Sequence, residues 1–312
     1  MNLRPSLILF CILLVACKPQ ASDIPSEDIP PAATRHDAAI VIASNYPLYF
    51  FAQQIAGDTG GIDIRLPAMT GDPAEWKPDS AAISELQNAD LILLNGAGYE
   101  SWLNWVTLPA DRLLDTTGDI TDQLIPVTGD SIHQHGPAGK HSHQGVAFTV
   151  WLDPELAIRQ AQIIQQALSN LLPDQVEEFS TNLTELTDRL HELDRQLENA
   201  FAALDGKGII FSHPVYQYLQ ARYHLNGASL HWEPEEAPGT RDWIDLNDLL
   251  SRHKASLMLW EDTPLDETVQ RLQQSGIRSV SFQTASGRPA AGDYFSVMKS
   301  NLERLNRLAS EP

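Results

Sequence analysis

A chain of 312 residues has the length for two lobes of ordinary size, and 43% hydrophobic with 20% charged residues is the profile of a folded protein rather than a disordered one. Lys and Arg total 21 against 41 Asp and Glu, and the formal charge of -20 repels phosphate backbones and anionic headgroups, which sets nucleic-acid binding aside. Both cysteines, Cys11 and Cys17, lie in the first seventeen residues, so the rest of the chain holds no thiolate zinc site, disulfide or cysteine nucleophile, and a metal there needs His, Asp, Glu, amide or water ligands.

Residues 1–16 carry Arg4 and then the apolar run Leu7–Ala16, a secretory signal too short to cross a bilayer as a mature helix. The run ends Leu14-Val15-Ala16-Cys17, which resembles a bacterial lipobox and predicts lipidation at Cys17. Residues 17–37 are rich in Pro, Ser and Asp with no apolar period, and read as a flexible tether. The expected location is the extracytoplasmic face of the cell envelope, with membrane contact through the lipid alone.

Beyond the tether, Ala38–Ser44 is an apolar run expected to form a buried strand, and Leu48–Gly57 a helix closed by glycine. Ile62–Leu66 reads as a strand, Ser80–Asn88 as a helix and Ala89–Asn95 as a strand. Residues 129–145 interrupt the pattern and are expected to be a loop, with Pro154–Leu172 helical again. From Val176 to Leu204 there is no proline or glycine. Apolar residues recur there at Phe179, Leu183, Leu186, Leu190, Leu193, Leu197, Phe201 and Leu204, the three-and-four spacing of one long amphipathic helix. A second alternation follows: strands at Gly208–Phe211, Ala255–Trp260 and Arg278–Phe282, helices at Pro214–Tyr223, Leu265–Ser275 and Tyr294–Leu308. The predicted fold is α/β, with two Rossmann-like parallel-sheet lobes over residues 38–173 and 205–312. One rigid helix within residues 174–204 joins them, and the ligand cleft lies between the lobes.

Several segments carry a family likeness. The stretches IVIASNYPLYFFAQQIAGD and LQNADLILLNGAGYESWL flank Pro73-x-x-Trp76-x-Pro78. Trp151-Leu152-Asp153-Pro154, Phe211-Ser212-His213, Pro234-Glu235-x-x-Pro238-Gly239, Glu261 after a hydrophobic strand and Gly292-Asp293-Tyr294 follow in order. Together they make residues 38–312 resemble the zinc/manganese solute-binding proteins of bacterial ABC importers. That resemblance implies capture of zinc, or another divalent metal such as manganese, between two lobes and delivery to a permease and its ATPase by a monomeric carrier. It also implies four ligand positions, of which this chain keeps His213. Ala74 stands where the family has a histidine after the proline, Thr149 where a second precedes the Trp-Leu segment, and Gln283 where an acid closes the last strand. Neutral threonine and glutamine oxygens suit zinc poorly.

Three readings of the cargo site follow. In the first, a rearranged shell forms around His213, with Glu75 supplying a carboxylate and His231, beside Glu233, returning to the same cleft; three N/O ligands and a water suffice for zinc. Glu75 reads as readily as a solvated loop charge, and His231 as a packed or exposed histidine. In the second, His133, His135, His141 and His143 of the loop 131–144 capture the metal; neutral imidazoles chelate better as pH rises above ~6.5. In the third, the cleft, bordered by Trp76, Thr149, Trp151, Glu261 and Gln283, holds a non-metal or chelated ligand, with Trp232 and Trp260 as further aromatic walls, although each tryptophan taken singly reads more readily as core packing.

No nucleophile elbow, metalloprotease helix, dinucleotide fingerprint or P-loop is present. Asp188, His191, Glu192 and Asp194 are expected on the wet face of the long helix. The reading is capture and delivery rather than catalysis.

Overall fold

The computed structural model describes residues 38–310 except 59, 70–72, 128–131, 136–138, 143–144 and 205. The expected signal, the tether and Cys17 lie outside the described residues. The chain begins with β1 (Ala39–Ala43), α1 (Tyr46–Ala56), β2 (Ile62–Arg65), α2 (Ser80–Asn88), β3 (Leu91–Leu94) and β4 (Leu113–Asp115). These strands form a parallel sheet in the order β2-β1-β3-β4. The helices start where sequence chemistry places them. Asn45 caps α1 by accepting from the Leu48 amide at 3.0 Å, and Asp79 caps α2 by accepting from Ala82 at 2.8 Å.

The segment expected to be a loop contains backbone ladders. Strand β5 (Pro126–Val127) is followed by β6 (Ile132–His135), β7 (Gly139–Ser142) and β8 (Gly145–Val146). β5 pairs antiparallel with β8, and β6 with β7, His133 opposite His141. Ladder bonds come from the backbone, so a polar Gly- and His-rich stretch pairs without any apolar alternation to announce it. The side chains of His133, His135 and His141, and all of His143, are outside the described residues.

Helices α3 (Pro154–Leu171) and α4 (Val176–Ala202) then lead to β9 (Gly208–Phe211), α5 (Gln217–Arg222), β10 (Gly227–Ser229) and α6 (Thr240–Arg252). Strand β11 (Ala255–Trp260), α7 (Asp266–Gln274), β12 (Arg278–Ser281) and α8 (Tyr294–Ser310) complete the order. The second parallel sheet runs β10-β9-β11-β12. Among the described residues no helix is long and apolar enough to cross a membrane.

Strands buried on both faces explain the unbroken apolar runs in the sequence. Val41 and Ala43 of β1, Ile209 and Phe211 of β9, and Leu257 and Leu259 of β11 face one large core, which also takes α1, α3, α4 and α8. The alternate residues Ile40 and Ile42 face a second cluster with Leu86 and Trp102, and Ile210, Met258 and Trp260 a third with Leu246 and Leu272. The 27-residue helix α4, about 40 Å long at ~1.5 Å per residue, lies along the large core. It buries Phe179, Leu186, Leu190, Leu193, Leu197 and Phe201, with Leu183 packed at the margin. Residues His36–Pro312 thus form one compact unit. His191 is half-exposed and sits 3.5 Å from Glu155. Asp194 departs from the expected wet face, because Arg222 and the Tyr223 hydroxyl hold it from the α5 side.

Candidate metal centre

In parallel sheets ligands gather where the strands end, because loops there converge and backbone groups are unpaired. The second sheet delivers one polar side chain from each strand in spatial order: Glu233 after β10, His213 after β9, Glu261 after β11 and Gln283 after β12. The imidazole nitrogen and the two carboxylate oxygens of His213, Glu233 and Glu261 lie within 4.8 Å of one another, and among the described residues these form the one group of three donors able to hold a metal ion. His213 Nδ1 is 3.2 Å from Glu233 Oε1. His213 is buried, at 7% exposure, while both carboxylates are half-buried.

The loops carrying the three donors are fixed by backbone bonds that continue the sheet. Ser212 N donates to Leu259 O at 2.8 Å, and Trp232 N to Ser212 O at 2.7 Å, tying the His213 turn to the strand before Glu261 and to the segment before Glu233. Trp232 and Trp260, each one residue before a carboxylate ligand candidate, pack with Trp243 in the cluster on the outer face of the second sheet. They are core groups beneath the site rather than walls of it.

Of the expected trio His213, Glu75 and His231, the structure brings only His213 into the donor cluster. His231 packs against His213, its ring edge-on with centroids 5.5 Å apart. Glu75 ends the short 3-10 turn Pro73–Glu75 and is half-buried but not a member of the cluster, and Ala74 packs against the large core. Glu261, expected as lining, falls in the donor cluster. Glu233, expected with His231 in the segment that returns toward the cleft, falls in it too. The signal for both was their position just past a strand end.

The other residues expected to border the cleft make these contacts. Trp76 is buried edge-on to Trp102 in the outer core of the first lobe, ring centroids 5.6 Å apart. Trp151 is fully buried, donates its indole N–H to Thr284 O at 2.7 Å, and accepts the Tyr294 hydroxyl at 2.9 Å on its carbonyl. Gln283 donates to Asp262 at 3.2 Å and is anchored by Asn301 at its backbone. Thr149 is buried and donates its hydroxyl to Val215 O.

Two carboxylates crowding a buried imidazole repel each other, and a divalent cation relieves that repulsion while matching their charge. Donors about 2.1 Å from a tetrahedral zinc lie roughly 3.4 Å apart, close to the 3.2 Å between His213 Nδ1 and Glu233 Oε1.

A family model described as zinc-uptake complex component A, periplasmic (ZnuA), matches residues 41–308. The chain belongs to the ZnuA family. This ZnuA-family chain is 25% identical over 289 residues to the zinc-binding lipoprotein AdcA of Streptococcus pneumoniae, covering 87% of its own length and 56% of that protein. It thus spans about half the length of such curated relatives. It is also similar to the high-affinity zinc uptake system protein ZnuA of Bacillus subtilis, 24% identical over 304 residues, covering 95% of this chain and 93% of the other. Among solved structures, the Zn(II)-bound ZnuA-like domain of Streptococcus pneumoniae AdcA superposes with a TM-score of 0.72 at 22% identity, covering 88% of this chain and all of that one. This likeness bears out the two-lobe α/β fold.

Proposed function

We propose that this ZnuA-family chain is the extracytoplasmic solute-binding component of an ABC importer, capturing a divalent transition metal, zinc foremost, and delivering it to a permease and its ATPase. The convergence of His213, Glu233 and Glu261 at the carboxyl edge of the second sheet carries the reading. One neutral imidazole and two carboxylates balance the charge of a divalent ion, and the open fourth position gives an exit route during transfer. In this reading residues 38–173 and 205–312 act as two lobes on the helix of 174–204, lipid on Cys17 tethers the unit to the envelope as a monomer, and the histidines of residues 131–144 collect ions for the cleft. The net charge of -20 draws cations toward the surface. Capture and delivery require no catalytic step.

Native mass spectrometry of protein extracted from membranes tests the cargo and the anchor together. The expected spectrum shows one tightly held zinc and the added mass of a lipid, absent in Cys17→Ser. His213→Ala is expected to lose more than about tenfold in zinc affinity. Full affinity in His213→Ala, together with loss of binding on deletion of residues 131–144, would move the cargo site to the loop.

A further inference from the structure

We propose that Thr149 is the first lobe's contribution to the metal centre, acting as a positioning residue for His213 and not as a ligand. The inference rests on the reading of His213, Glu233 and Glu261 as the cargo site. Thr149 is 3% exposed, and its hydroxyl donates to the carbonyl of Val215 at 2.6 Å, across the seam between the two sheets' lobes. Val215 is not a passive acceptor. Its own amide donates to the carbonyl of His213 at 2.9 Å, closing the turn that presents the imidazole.

The turn is therefore held at both ends. Before His213, Ser212 is locked by Leu259 and Trp232. After it, Gln217 donates to Pro214 O at 2.6 Å, the Tyr216 hydroxyl reaches Phe282 O at 2.6 Å, and Thr149 fixes Val215. Among these anchors Thr149 comes from the opposite lobe, and it is itself rigidly placed. The Leu152 amide donates to Thr149 O at 3.1 Å, Trp151 is bound to Thr284, and Asn95 donates to Phe148 O at 2.9 Å.

The hydroxyl is committed to a backbone carbonyl. The void lined by Phe148, Thr149, Pro214, Val215 and Gln217 is about 20 Å³, room for about one water. A hydroxyl committed to a carbonyl in a closed seam is a clamp. Groups that orient a metal ligand are worth roughly 10–100-fold in affinity when lost, because a displaced imidazole must be pulled back into place each time the ion binds.

The test compares Thr149→Val, which keeps shape and removes the hydroxyl, with Thr149→Ala and with Thr149→Ser, which restores the donor. Zinc affinity is read by competition with a chromogenic chelator, and ligand geometry by the visible bands of the cobalt-substituted protein. The expected result is about a tenfold loss or more in the valine and alanine variants, with shifted cobalt bands, and return of both to parent values in the serine variant. A second, metal-free reading is the rate at which diethyl pyrocarbonate modifies His213, followed by peptide mass spectrometry. That rate should rise in the valine and alanine variants and not in the serine variant. Parent affinity, parent cobalt bands and a parent modification rate in Thr149→Val would overturn the proposal. A parent that takes up no metal would refute the cargo reading instead, leaving the modification rate to confirm or refute the clamp.

Discussion

At the residue scale the most informative group away from the metal centre is Glu100, whose carboxylate is buried behind the carboxyl edge of the first sheet. It accepts from the Ser44 hydroxyl and the Asn95 amide, both at 2.6 Å, and from the Gly96 amide at 3.1 Å. These bonds hold a tight turn in which Gly96, Ala97 and Gly98 all have positive φ, and a Cβ on Gly96 would meet Asp115 at 1.9 Å. Burial pushes the Glu100 carboxyl up to about 7, outweighing the four hydrogen bonds, from the Ser44 hydroxyl and the Asn95, Gly96 and Glu100 backbone, that pull it down. A carboxyl raised in the folded state holds its proton between about 4.5 and 7 while the unfolded chain has released it. Its contribution to stability is therefore full below the unfolded value and lost as pH climbs through 7, about 3 kcal/mol in all. Glu100→Gln should remove that slope. Urea unfolding of both proteins at a series of pH values checks this, and a parent-minus-variant difference that stays flat from 4.5 to 7 would refute it. The donor cluster shows what a sequence reveals at this scale. His213 was legible as a motif residue and Glu261 as a strand-end acid. Glu75 was drawn in by nearness to Ala74 along the chain, and chain neighbours in a 3-10 turn point to different surroundings, so one faced the core and the other never joined the cluster.

At the element scale the helices and long strands were readable because their burial sets their spacing. The seven-step apolar pattern of α4 follows from one face lying along the large core. Leu190, fully buried at the middle of that face, is the place to measure it. Leu190→Ala should cost about 2–5 kcal/mol, read as a lowered midpoint in urea with an unchanged slope; a loss under ~1 kcal/mol would mean the helix is not anchored there. The elements not foreseen were those whose identity depends on neighbours. β10 is Gly-Ala-Ser, short and small, and a Cβ on its Gly227 would strike the Phe211 ring at 2.3 Å. Its smallness is a packing requirement of β9, which no local pattern reveals. α6 carries Trp243, Leu246 and Leu249 at helical spacing, but follows the turn-rich stretch that bears Glu233. Helix α5 starts three residues later than expected because Pro214 and Val215 belong to the turn that presents His213.

At the scale of the whole molecule, the interior that runs from Val41 and Leu93 through α4 to Phe211, Leu259 and Phe282 belongs to neither lobe alone. Heat should accordingly melt the protein in a single calorimetric event whose measured enthalpy equals that inferred from its sharpness, and two separated peaks would contradict a common interior. The same sharing restricts how the two lobes move: wide jaw-like gaping would wet that interior, so any opening has to proceed by slackening a few contacts at the rim.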